Sequence, residues 1–437
     1  MSESISESTP PPGDAGAQVL FKSKTLGRTL AAFTYRDFRV QWFGACTSSV
    51  GTWVQIAAQN WMVISLTTPA QSAFFLGLDS FLQQLPIMLF TLVGGVLADR
   101  RDRRRTLLSS QYLQMATATT LALLVYFGLI TVWYVLALSF VTGLAQAFGG
   151  PAYQSLVPSL VDKKDLPNAI ALNSIQFNIA RVLGPLLFAA TLSISTTWGF
   201  VERQGMALCF ALNALSFLVV ISTLMSLRVK HIPPAQRQLS MRDEIKGGIS
   251  YVRQSRELVS LTILAAATTF LGFAVLTFLP LFTKDVFHGE ADTYSQLLAF
   301  SGSGSVVGAL IVAWLGKFKR MGLTTLIVQA IYGLLIVAFA TSRTLLVSEI
   351  LLFLTGVALM VVFSSVTSLV QLIAPNEMRG RVMSIYMLAL RGGIPLGSLA
   401  SGYAATFIGA PAVLEVNGVL LVVVAIYFFF RDGVRDI

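Results

Sequence analysis

The chain of 437 residues is 55% hydrophobic and only 12% charged. That is about half the charged share of a soluble domain, so a collagenous, disordered or disulfide-scaffold protein is excluded and a lipid-solvated chain is indicated. Thirty-one Lys and Arg against 21 Asp and Glu leave a net charge of +10, an excess that fits nucleic acid or the cytoplasmic loops of a membrane protein. The two cysteines, Cys46 and Cys209, lie in apolar runs and carry no redox information.

Residues 1–34 are rich in Ser, Glu, Pro and Gly, with neither the basic start nor the apolar run of a signal peptide, and read as a disordered cytoplasmic tail. From about residue 40, apolar runs alternate with short charged breaks. A hydrocarbon core of about 30 Å takes roughly twenty helical residues. By that ruler twelve runs span it, at 40–66, 73–98, 106–130, 132–157, 169–194, 206–227, 258–282, 294–316, 322–341, 345–373, 381–408 and 412–430. They are too long and too evenly apolar for the alternating, roughly ten-residue strands of a β-barrel. The expected fold is therefore an all-α membrane protein of twelve transmembrane helices.

The longest break, 228–257, divides the spans six and six. The expected organisation is a six-helix bundle over 35–227, a cytoplasmic linker over 228–257, a second bundle over 258–430 and a short tail over 431–437. Within the linker, Met241, Ile245, Ile249 and Val252 form a weak apolar stripe, as in an amphipathic surface helix. Arg181 and Pro185 in the fifth run and Arg391 and Pro395 in the eleventh share one spacing, which suggests that the halves repeat.

With both termini placed inside, all but five of the basic residues fall in cytoplasmic loops and tails. Arg203, Lys284 and Arg343 lie outside, and Arg181 and Arg391 lie within spans. This orientation obeys the positive-inside tendency. Charge spread thinly over many loops also argues against a nucleic-acid face.

Between the second and third runs stands Gly95-Val-Leu-Ala-Asp99-Arg100-Arg101-Asp102-Arg103-Arg104. It resembles the loop motif of the major facilitator superfamily, Gly-x-x-x-Asp-Arg followed by Gly-Arg-Arg or Gly-Arg-Lys, with Asp102 here in place of the second Gly. The segments LVPSLVDKKDLPNAIALNSIQFNIARVLGP and PNEMRGRVMSIYMLALRGGIPLGSLASG are similar to the branch containing the enterobactin exporter and macrolide-type drug efflux pumps. The resemblance implies two pseudo-symmetric six-helix bundles. It also implies a conformational lock formed by Gly95, Asp99, Arg100, Arg103 and Arg104, with Asp99 against the start of the eleventh span and Arg103 as its partner. The fifth-span Gly184-Pro185 only partly matches the antiporter pattern, and the fourth run has no Arg or Lys.

Ionisable groups inside a bilayer are expensive and usually functional. At 1.5 Å per residue, Asp79 lies roughly 10 Å from the outer end of its run and Arg181 roughly 18 Å from the inner end of its own. Their depths match, so Asp79 and Arg181 are proton-coupling candidates, with Arg181 holding Asp79 ionised until substrate or conformation separates them; a static ion pair is the alternative. Arg391 has no acid at its depth in the second half and is expected to face the cavity, either for an anionic substrate or bonded to carbonyls. Ser48, Thr52, Gln55 and Gln59 share one face of the first run, Gln83 follows Asp79 by one turn, and Ser174, Asn178 and Arg181 share a face of the fifth. Gln55, Gln59, Gln83, Asn178 and Arg391 are accordingly the substrate-cavity candidates, with hydrogen-bonded helix packing as the competing reading.

A nucleotide-binding Gly-x-x-x-x-Gly-Lys-Ser/Thr is absent from the sequence, so no ATPase subunit is required and an ATP-driven pump is disfavoured. His231 and His288 fall in loops on opposite faces and no two acids share a run, which disfavours an enzyme and a metal site. No cofactor is expected. The expected partners are a small-molecule substrate, protons and membrane lipid. The function expected is export of a drug, metabolite or siderophore across the inner membrane by alternating access and proton antiport. An importer on the same fold is the alternative.

Overall fold

The computed structural model describes residues 30–100, 102–228, 241–316, 318–431 and 433–435, with side chains of 92–100 and 241–246 left aside. Among these residues there are helices and no strands. The helices are α1 (Arg36–Leu66), α2 (Pro69–Arg100), α3 (Arg103–Tyr126), α4 (Val132–Leu156), α5 (Leu166–Thr197), α6 (Glu202–Ser226), α7 (Met241–Gln254), α8 (Arg256–Gly272), α9 (Ala274–Leu281), α10 (Ala291–Leu315), α11 (Met321–Thr341), α12 (Leu345–Ile373), α13 (Arg379–Ile408) and α14 (Ala410–Phe430).

Among the described residues, ten spans are long and apolar enough to cross a membrane, α8 and α9 together making one of them. The other two apolar runs are α1 and α3, of 31 and 24 residues. They are more polar because α1 carries Gln41, Gln55 and Gln59, and α3 starts with three arginines and includes Gln111 and Gln114. Each of the twelve runs thus falls on helix. The seventh divides into α8 and α9 around Phe273.

The packing repeats with an offset of six spans. α2 lies along α4 as α10 lies along α12, α3 along α6 as α11 along α14, and α1 against α5 and α6 as α8 against α13 and α14. The two halves meet through α2 with α13 and through α5 with α10. This is the two-bundle architecture of the major facilitator fold. Trp314, Phe430, Trp198 and Phe407 are 85%, 77%, 73% and 71% exposed; around a membrane bundle such positions meet lipid rather than water.

Helix directions alternate, so the start of α1 and the end of α14 share one face of the bundle, here the terminal face. Ala31–Thr34, at the end of the stretch assigned to a disordered tail, form a 3-10 turn instead. Ala32 is buried and its N–H donates to Asn168 Oδ1 at 2.9 Å, a tertiary anchor that composition does not reveal. Residues 1–29 lie outside the described residues. In the linker, α7 forms where the apolar stripe places it. Val252 is buried, and Gly248 is tight against the Arg381 carbonyl and Ile385 of α13.

Candidate functional site

The α2–α13 contact is made by small residues that let backbones approach, as in other lipid-solvated helix pairs. A Cβ on Gly77 of α2 would stand 2.4 Å from the Ser398 carbonyl of α13, and one on Gly402 would stand 2.7 Å from the Ala73 carbonyl. Ser80 Oγ donates to Ser398 Oγ at 3.2 Å. On the other seam, Tyr294 of α10 stacks on Trp61 of α1 with ring centroids 5.8 Å apart and meets Phe188 of α5 edge-on at 6.3 Å. Asn60 Nδ2 donates to the Tyr294 hydroxyl at 3.2 Å. All these contacts lie in the half of the bundle away from the terminal face.

One stripe on α13 records what happens along the other half. Ser384, Leu388 and Arg391 are exposed, whereas Pro395, Ser398 and Gly402 are buried on the same side of the helix. On α5, Ile170, Ser174 and Phe177 are exposed, Arg181 is intermediate, and Gly184, Phe188 and Leu192 are buried. These spacings of three and four hold one azimuth. The far part of each stripe is closed by packing and the terminal part is open, with the change at Arg181 and Arg391. The exposed terminal part of each stripe thus borders a cleft between the halves on the terminal side.

The proline four residues beyond each arginine has a structural consequence. Pro185 and Pro395 carry no N–H, so the carbonyls of Arg181 and Arg391 lose their helical partners. Gly302 of α10 approaches the Arg181 carbonyl, at 3.2 Å from where its Cβ would stand. The Arg181 guanidinium lies over the Trp53 ring at 5.9 Å, close enough for a cation–π contact.

The expected Asp79–Arg181 pair does not form. Asp79, 3% exposed, accepts from Gln59 Nε2 at 3.1 and 2.8 Å and from Ser139 Oγ, and Gln59 Nε2 also lies 2.7 Å from Ser139 Oγ. Gly77 faces the other half, and Asp79, two residues on, turns about 200° away from it into its own bundle between α1 and α4. Among the described residues the ion pairs are Arg36–Asp37 at 3.2 Å and Arg105–Asp102 at 3.8 Å.

Gln59 therefore serves the Asp79 cluster rather than a cavity wall. Gln55, likewise buried, accepts from Asn213 Nδ2 of α6 at 2.7 Å. Both amides hold helices together, the competing reading of that face. Gln83 is half-buried, with its backbone carbonyl against Gly143 of α4. Asn178 stands on the open side of α5 and donates to the Ser174 carbonyl at 2.8 Å. Arg391 is exposed on the α13 stripe.

Of the loop motif, Gly95, Asp99 and Arg100 lie outside the residues whose side chains are described. Arg103 Nη1 donates to the Ser155 carbonyl at 3.0 Å, and Arg104 reaches the Leu227 carbonyl at 3.2 Å and the Met225 carbonyl at 2.5 Å. Both arginines thus satisfy orphan carbonyls at or just past the ends of α4 and α6, a favourable place for cations. Asp102 caps α3 by accepting from the N–H groups of Arg104 and Arg105 at 2.9 and 3.3 Å, which explains an acid where the family pattern has Gly. No group of three or more His, Cys, Asp and Glu able to hold a metal occurs among the described residues.

A second concavity, of about 290 Å³, lies inside the first half, and Ser48, Thr52, Gln114 and Tyr153 are among its lining. Sequence reasoning placed Ser48 and Thr52 on a polar face but missed Gln114, Gln146 and Ser139. The spacing of Gln111 and Gln114 was the available signal.

Paired six-helix bundles with a terminal-side cleft between them define a transporter of the major facilitator type. The family model for the transmembrane secretion effectors of that superfamily matches residues 27–434, and the chain belongs to this family; it is a transporter and not an enzyme. It is 25% identical over 393 residues to a staphyloferrin A transporter of Staphylococcus aureus, covering 87% of this chain and 92% of that one. It is 23% identical over 407 residues to macrolide efflux protein A of Streptococcus pyogenes, covering 92% and 97%. The fold is similar to that of a bacterial homologue of the human lysosomal transporter Spinster in an inward-facing, unoccupied conformation. That match has a TM-score of 0.70 at 14% identity over 90% of this chain and 96% of that one.

Proposed function

We propose that the chain is a secondary active exporter of small molecules, a drug, metabolite or siderophore, working by alternating access across the cytoplasmic membrane in exchange for protons. The observation that carries this reading is the change from open to closed along the stripes of α5 and α13. Rocking the half at 35–227 against the half at 258–430, joined by the linker at 228–257, would close the terminal cleft and open the far one. The basic residues on the terminal side support placing that side, with both termini, in the cytoplasm. Loading from the cytoplasm then means export, in keeping with the efflux named for the macrolide relative.

Asp79 is the proton carrier in this scheme. Its partners are neutral, so its ionised form has no compensating cation beside it, and binding a proton relieves the cost of a buried charge. Arg181 acts separately, against Trp53 at the closed end of the α5 stripe. Arg391 and Asn178 face the substrate, and Arg391 supplies the cleft with a cation for an anionic or acceptor-rich cargo. When the cytoplasmic side closes, Gly95, Asp99 and Arg100, with Arg103 and Arg104, would form the lock that the loop motif implies. No nucleotide-driven subunit and no nucleic acid takes part.

The test is accumulation of a panel of siderophores and antibiotics in cells with and without the protein, each with and without a protonophore. The reading expects lower accumulation of at least one compound in cells with the protein, abolished by the protonophore. Higher accumulation in those cells would establish uptake and contradict it.

A further inference from the structure

The concavity inside the first half is built differently from the cleft. Its volume is about 290 Å³, at the lower end of small-molecule sites, enough for one group of a larger molecule. No charged residue lines it. Its polar lining includes six amides from α1, α3, α4 and α5, Gln41, Gln111, Gln114, Gln146, Asn173 and Gln176, set among apolar side chains such as Trp53, Leu107 and Phe217. Some bind one another: Gln146 Nε2 donates to Gln114 Oε1 at 3.3 Å, and Gln176 Nε2 to Ser49 Oγ at 2.8 Å. The Tyr153 hydroxyl lies 3.3 Å from Asn173 Oδ1 and 3.4 Å from Gln176 Oε1.

Gln41 is the exception. It is 2% exposed, yet neither Nε2 nor Oε1 has a partner, and Gln111 Oε1 is also unpaired. Buried polar groups are otherwise nearly always hydrogen-bonded. An amide whose donor and acceptor are both unpaired in the wall of a recess offers a matched pair to a hydroxyl or amide that reaches it. Terminal-side packing in the second half is mostly apolar, with Leu326, Val362, Val366 and Leu369, and Gln329 of α11 is a buried amide there.

We infer that the recess around Gln41 binds an uncharged, hydroxyl- or amide-rich group, such as a sugar ring, of the transported molecule. Phe177 both lines the recess and stands on the open side of α5, so the recess opens off the cleft. A cargo seated there keeps an anionic or acceptor-rich portion towards Arg391. The absence of charged lining selects against a carboxylate, because ionic groups lose more than neutral ones on leaving water unpaired. This assignment rests on the reading of the chain as an exporter loading from its terminal face.

The test uses the full chain in phosphatidylcholine nanodiscs and two matched probes, 4-methylumbelliferyl glucoside and 4-methylumbelliferyl glucuronide. Saturable glucoside binding is expected, with the glucuronide at least about tenfold weaker. Gln41→Leu and Gln176→Leu should each weaken glucoside binding about fivefold, since each removes hydrogen bonds to a neutral group. Gln41→Lys should reverse the preference, a result that a merely structural role for Gln41 would not produce. Absence of saturable glucoside binding, equal affinity for both probes, or unchanged binding in the Gln41→Leu/Gln176→Leu double variant would overturn the assignment. Binding without any efflux in cells would leave the recess standing and remove the exporter reading; efflux without binding would do the reverse.

Discussion

At the residue scale the Asp79 cluster makes the sharpest demands. A carboxylate held by one amide and one hydroxyl depends on both donors. Ser139→Ala leaves one oxygen short of a partner, with an expected loss of about 1–3 kcal/mol in unfolding free energy, measurable in detergent by thermal denaturation. Asp79→Asn keeps the shape and removes the titration. Transport in that variant is expected to lose its dependence on a pH gradient in proteoliposomes, and unaltered coupling would take Asp79 off the proton path. Outside the membrane spans, Tyr35 donates one proton between Asp162 Oδ2 and Asp165 Oδ2, each 2.8 Å away. Burial first, and then the two carboxylates, push its phenol well above the usual tyrosine range. Because the folded value is raised, this bond is intact below about pH 10 and is lost only at higher pH. Tyr35→Phe should therefore speed proteolysis within residues 30–35 at neutral pH, and an unchanged cleavage rate would argue that the contact holds nothing in place.

Sequence alone singled out Asp79, Arg181 and Arg391 because a charge inside an apolar run is conspicuous. It could not pair them. Counting residues gives depth along the membrane normal, and depth made Asp79 and Arg181 look like partners. Azimuth separates them: Asp79 turns into its own bundle, and Arg181 lies against Trp53. Polar residues of one helix face divided in the same way, Gln55 going to Asn213 and Gln59 to Asp79, because partners on distant helices are invisible in a local pattern.

At the element scale one inter-half seam rests on glycines. Helices without a hydrophobic driving force between them depend on close backbone approach, and the α2–α13 seam has Gly77 and Gly402 facing each other, each Cβ position 3.1 Å from the other's Cα. Gly77→Leu should wedge this seam apart on the far face and bias the molecule towards the opposite opening. A cysteine at Ser398, buried in the present structure, should then be labelled by a membrane-impermeant maleimide from that side. Continued protection in the Gly77→Leu background would contradict the role given to the seam. The helices themselves were readable from apolar run length, and the repeat was readable from the Arg–Pro spacing. Two features were not: the break at Phe273 inside the seventh run, and the 3-10 turn before α1, which is held by Asn168 more than 130 positions away.

At the scale of the whole molecule, the terminal cleft and the packed far side are one arrangement of the two halves, and the proposed transport cycle requires the reverse arrangement as well. Most of the architecture follows from composition and the positive-inside rule, because a bilayer leaves helices or a closed barrel as the spanning structures. Which face is open does not follow, since both arrangements share one sequence. The most direct measurement is the spin–spin distance across each mouth in proteoliposomes, with Cys46 and Cys209 replaced. Label pairs belong at Ser174→Cys with Ser384→Cys on the terminal side and at Phe200→Cys with Glu290→Cys on the far side, all four positions being exposed. Two populations are expected at each mouth, with cargo or a proton gradient shortening the terminal distance as the far distance lengthens. Distances that stay single and unchanged at both mouths under every gradient and cargo would contradict the account.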